Sequence, residues 1–283
     1  MKIQEIIMQY SLDELEKQEL ETYFRNRFSG CPESGNQNTD YLNGWMNITA
    51  LSEFFGAEQI INQKLCPKYP VKFYCPEQVR IEIYQSFAGE IPIIYADDAR
   101  DFEQLVTNIV YKGIRPENIS KTGASFVSGK TVRFIILSAK PYSNVTAEEL
   151  GLDGKTWAEK SMLIRRSHEC THFFTKQTYG ISNNILHDEL MADFIGLYDT
   201  FGFYKAEWFL KFMGIIKGNG ERMIVYTKDL SPKVRNVMIT LISQAAYQLE
   251  KWSESEQFLE MTNSERITSM CRMGIEGIVN LLN

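Results

Sequence analysis

RRSHECTHFFTKQTYGISNNILHDELMADFIGLYDTF, residues 165–201, reads as two helices joined by a short polar reversal. Apolar positions recur at helical spacing on both sides of it: Leu163, Cys170 and Phe174 before, and Leu186, Leu190, Phe194, Leu197 and Phe201 after. Between them YGISNN, residues 179–184, supplies the glycine and asparagine that favour a turn. The chain has three histidines, His168, His172 and His187, and all of them fall in this stretch.

On a helix, His168 and His172 stand at i and i+4, so both imidazoles project from one face and can reach a single ion. Glu169 is offset around the helix. That position suits a carboxylate that leaves the metal alone and takes a proton from a water. Zinc accepts imidazole and carboxylate donors in a tetrahedral shell with one position open, so two histidines require one further protein ligand. Glu189 is the expected third ligand. If the first helix runs about five residues past His172 and the second begins about five before Glu189, a rise of about 1.5 Å per residue sets them level in an antiparallel pair. The same geometry sets Asp193 level with His168, where it would accept the remaining ring N–H and fix the tautomer.

The neighbouring polar residues have plainer readings. His187 lies about 200° around the helix from Glu189 and reads as structural or surface, and Asp188 reads as a charge favoured by the helix N-terminus. Tyr179 reads as a packed loop residue, with stabilisation of an oxyanion as the rival reading. Cys170 reads as a buried thiol, and Arg165 and Arg166 as side chains that solvate their helix or hold a nearby carboxylate.

The helical pattern covers Lys155–Lys176, Asn184–Phe201, Lys205–Ile216, Ser231–Trp252 and one or two helices to the end, with Ser231 as N-cap and Pro232 in the first turn. Upstream, SFVSGKTVRFIILSA (residues 125–139) predicts a hairpin whose second strand is largely buried. Val71–Cys75, Val79–Tyr84 and Ile91–Tyr95 predict strands, and Ser11–Phe28, Ile48–Ile61 and Asp101–Tyr111 predict helices, with a loop over Cys31–Asp40. The expected fold class is α+β, with a small sheet in a mixed N-terminal part and a helical C-terminal part. The expected division is residues 1–88 of unassigned role and residues 89–283 carrying the metal helices.

Composition narrows the function. The balance of 30 Lys and Arg against 36 Asp and Glu gives a charge of −6, with basic residues scattered, which argues against nucleic acid or an anionic membrane as the partner. No apolar signal core forms near the N-terminus and no run of about 18 apolar residues follows, so a cytoplasmic protein is expected. Five cysteines without paired spacing predict reduced thiols.

HECTH followed by DELMADFIG resembles the H-E-x-x-H and E-x-x-x-D motifs of the gluzincin, thermolysin-like, zinc metallopeptidases. The resemblance covers residues 168–196, while residues 1–120 carry no pattern of that family. It implies zinc on His168, His172 and Glu189, water activation by Glu169, support of His168 by Asp193, and a peptide or protein substrate. It also implies a substrate-binding edge strand ahead of the zinc helix, in the place of Thr131–Ala139. The rival expectations are a zinc-containing interaction protein without turnover and a zinc hydrolase of a non-peptide amide.

Overall fold

The computed structural model describes residues 3–30, 39–129, 132–181, 185–217 and 220–281; most of the expected loop over Cys31–Asp40 lies outside these. The chain opens with α1 (Ile3–Gln9) and α2 (Glu14–Phe24). The helix expected over Ser11–Phe28 is trimmed at its start because Asp13 caps it. The Asp13 carboxylate accepts the Glu16 N–H and the Glu16 carboxylate accepts the Asp13 N–H, each at 2.9 Å. Next come α3 (Asp40–Phe55) and α4 (Ala57–Ile60), two helices where one was expected. Gly56 separates them, in a backbone conformation (φ 88°) that other residues rarely adopt.

The strands and helices that follow are β1 (Val79–Ser86), β2 (Gly89–Ala96), α5 (Ala99–Leu105), β3 (Ala124–Ser128), β4 (Arg133–Ser138), α6 (Ala147–Leu150) and α7 (Gly154–Tyr179). The C-terminal helices are α8 (Leu186–Phe201), α9 (Ala206–Met213), α10 (Arg222–Thr227), α11 (Pro232–Trp252), α12 (Glu256–Glu260) and α13 (Asn263–Val279). The fold class is α+β, as expected. No helix among the described residues is long and apolar enough to cross a membrane.

The chain forms two compact units, Asn36–Phe173 and Met1–Gly35 with Phe174–Asn283. This differs from the expected division after residue 88, which falls in the turn of the β1–β2 hairpin.

The first unit is built on a four-stranded sheet of order β1-β2-β4-β3, with β2 and β4 parallel and the outer pairs antiparallel. Ile81, Ile94 and Ile136 stand in one row across three strands and pack with Trp45, Phe102, Leu105 and Phe134 in a buried core. The opposite face carries the row Ile93 and Ile135, next to Phe126 on β3, and α7 meets that face. The Phe126 and Phe173 ring centroids are 6.2 Å apart, and the Arg166 guanidinium lies 4.3 Å over the Tyr84 ring. Helices on both faces explain why β2 and β4 read as nearly continuous apolar runs.

Two strand expectations need correction. Val71–Cys75 is not a strand, because side chains take up its backbone N–H groups. Asn62 Oδ1 accepts from Val71 at 2.7 Å, and the buried Asp101 carboxylate accepts from Tyr74 and Cys75 at 2.7 and 2.9 Å. The strand within Thr131–Ala139 is β4, and it is central: β2 and β3 occupy both of its edges, so no peptide can add to it.

In the second unit α1, α2, α9 and α13 pack on α11, whose buried stripe runs from Val234 to Trp252. Pro232 occupies the first turn of α11 as expected, but the Ser231 side chain makes no capping bond; the Ser231 N–H is held by Glu19 Oε1 at 2.8 Å. Tyr10 Oη lies 2.6 Å from Thr240 Oγ1, and the Tyr23 hydroxyl donates to the Tyr226 carbonyl at 2.8 Å, tying the N-terminal helices to the C-terminal ones.

Candidate metal centre

Helix α7 runs for 26 residues because nothing between Gly154 and Gly180 breaks it. Asp153 starts it, accepting the Thr156 N–H at 2.9 Å, and Gly180 ends it in left-handed backbone (φ 70°). His168 and His172 therefore stack on one face, with ring centroids 4.7 Å apart and the two Nε2 atoms 3.0 Å apart. Two nitrogens bound at about 2.0–2.1 Å to a tetrahedral ion lie about 3.3 Å apart, so the two imidazoles already face a common point at close to that spacing.

His168, His172 and Glu189 are all buried, and one ligand atom from each lies within 4.8 Å of the other two. Among the described residues this is the group that can hold a metal ion. Two imidazoles and one carboxylate suit a borderline ion of the first transition row better than magnesium or calcium, which take oxygen donors.

Glu189 and Asp193 stand one turn apart on α8, and both carboxylates are buried. Sequence reasoning missed the residue that makes this tolerable. Arg222, at the start of α10, donates from Nη2 to Glu189 Oε2 at 2.5 Å and from Nη1 to both Asp193 oxygens at 3.0 and 2.7 Å. A carboxylate has about four lone-pair sites, so Glu189 can accept from the guanidinium and still bind an ion. The available signal was indirect: two acids one turn apart on a helix that reads as core need a cation somewhere in the chain.

At His168 the structure adds a residue beside the Asp193 expected there. Tyr142 Oη lies 2.9 Å from His168 Nδ1, with both side chains buried, while Asp193 anchors Arg222. Glu169 is half-buried beside His168 and has no hydrogen bond or ion pair to any described residue.

The remaining residues singled out from sequence are structural. His187 is buried, donates from Nε2 to the Met270 carbonyl at 3.1 Å and packs edge-on against Phe28; burial pushes its pKa down to about 4, so it is a neutral packing histidine. Tyr179 ends α7 and packs against the same Phe28 ring, with centroids 5.7 Å apart, and burial raises its pKa. Asp188 lies in the first turn of α8, the place expected of a charge favoured by the helix N-terminus; it is fully buried and accepts from Thr175 Oγ1 at 3.4 Å. Cys170 is buried as expected, and Cys66, Cys75, Cys170 and Cys271 form no disulfide among the described residues. Arg165 and Arg166 do not solvate their helix. Arg165 donates to the carbonyls of Ser138, Lys140 and Pro141, and Arg166 covers Tyr84.

A search of curated proteins and a search of solved structures each return no match. A family model does match, over residues 58–132 and 130–281, and its second segment carries His168, Glu169, His172, Glu189, Asp193 and Arg222. The chain therefore belongs to the family that this model describes, a family of unknown function designated DUF7005.

Proposed function

We propose that the protein is a zinc-dependent hydrolase acting on a peptide or a related amide. The observation that carries this reading is the combination of two converging imidazoles and Glu189 with a half-buried Glu169 that has no partner among the described residues. A carboxylate in that position is costly to desolvate unless it meets a water or a substrate. A site that held zinc only for structure would have no use for it, since structural zinc sites close all four positions with protein ligands.

Zinc bound there would polarise a carbonyl and lower the pKa of a water. Glu169 then acts as general base, taking a proton from the attacking water and returning it to the leaving amine as the C–N bond breaks. His168, His172 and Glu189 would hold the ion, and Arg222 keeps Glu189 in place. Of the two edge strands, β1 and β3, it is β3 whose Phe126 packs on Phe173, the residue after His172, so an extended substrate would add to β3.

Glu169→Gln keeps the shape of the side chain and removes the base. It should retain one zinc per chain and lose at least about 100-fold in turnover on a peptide library. Wild-type protein with full zinc occupancy and no turnover on any peptide or amide would contradict the reading and favour a non-catalytic zinc protein.

A further inference from the structure

We propose that Tyr142 is a positioning residue for the metal centre, one that fixes the tautomer and ring plane of His168. The inference rests on the zinc reading above. A histidine that binds an ion through Nε2 carries its proton on Nδ1, and a hydrogen-bond acceptor at Nδ1 selects that tautomer and makes Nε2 more basic. His168 turns Nε2 toward His172 Nε2 at 3.0 Å and Nδ1 toward Tyr142 Oη at 2.9 Å. With the ion at Nε2, the phenol oxygen accepts the Nδ1–H.

Tyr142 is held for this purpose by a strap of chain between β4 and α6. Ser143 and Asn144 both adopt left-handed backbone (φ 52° and 59°), which asparagine tolerates but which is disfavoured for serine and persists there only where the surroundings impose it. The surroundings are four residues on successive turns of one face of α7. Trp157 Nε1 donates to the Val145 carbonyl at 2.8 Å, and Ser161 Oγ accepts the Tyr142 N–H at 3.0 Å. Arg165 donates to the carbonyls of Ser138, Lys140 and Pro141, with its guanidinium 5.4 Å over the Tyr142 ring. His168 is the fourth. The helix that carries the ligand thus also grips, turn by turn, the segment that orients it. Gly123 is part of the device: a Cβ there would overlap the Arg165 guanidinium, which its three carbonyl bonds hold in place.

Tyr142→Phe removes the acceptor and keeps the ring. Zinc affinity, measured by competition with a chromophoric chelator, should fall about 10- to 100-fold with the thermal midpoint of the metal-free protein nearly unchanged. Because the chain has three histidines, an imidazole 15N spectrum separates them. His168 in the zinc-loaded wild type should show a protonated, slowly exchanging Nδ1, and in Tyr142→Phe that exchange should become fast. Gly123→Ala, which disturbs the strap through Arg165, should weaken zinc in the same direction. Wild-type protein that binds zinc while Tyr142→Phe binds it equally well, with His168 Nδ1 exchange unaltered, would overturn the positioning role and leave the zinc reading standing. Wild-type protein that binds no zinc would overturn both.

Discussion

Arg222 shows how much of the candidate metal centre depends on one side chain. It pairs two buried carboxylates with a single guanidinium whose own side chain is 19% exposed, against 5% for Glu189 and 0% for Asp193. Removing one partner from such a group leaves charge buried without compensation, which typically costs about 3–5 kcal/mol. Arg222→Met should lower the stability of the metal-free protein by about that amount in a urea titration. Zinc should restore part of the loss by supplying the missing positive charge. Equal midpoints for Arg222→Met and wild type in chelator would show that the guanidinium is not what keeps these acids buried. His168, Glu169 and His172 were readable because a helix turns their spacing into geometry. Arg222 and Tyr142 were not, because Arg222 is 33 residues from Glu189 and Tyr142 is 26 residues from His168, and no local period links them.

Among the elements, long helices were the most legible and short apolar runs the least. α7, α8 and α11 follow their apolar spacing closely, whereas Val71–Cys75 has strand composition but gives its N–H groups to Asn62 and Asp101. Sequence period cannot see a side chain that substitutes for a strand partner. The break inside α13 is a second case. Gly274 (φ 64°, ψ 176°) interrupts the helix and frees the carbonyls of Cys271 and Arg272, and Asn26 Nδ2 donates to both at 2.8 and 3.3 Å. A Cβ at Gly274 would press on the Asn26 side chain at 3.1–3.2 Å, and its φ is unfavourable for any L-residue. Gly274→Ala should therefore cost about 1–2 kcal/mol, seen as a lower thermal midpoint, with zinc affinity unchanged. An unchanged midpoint would mean that the break relaxes into continuous helix.

Across the whole molecule, the α+β class was legible because the composition of each segment is a local property, while the grouping of segments was not. Residues 1–35 join residues 174–283 through contacts such as Tyr10 with Thr240 and Tyr23 with the Tyr226 carbonyl, spanning more than 200 residues of sequence. The sheet order tells the same story. β4 reads as buried from its own residues, but only the pairing with β2 and β3 shows that it is central and that β3 is an edge. Whether His168, His172 and Glu189 hold a catalytic zinc is decided first by the metal content of the purified protein after dialysis against trace zinc. One zinc per chain is expected in wild type and in Glu169→Gln, and none in His168→Ala; wild-type protein that retains no stoichiometric zinc would contradict a zinc site on these residues.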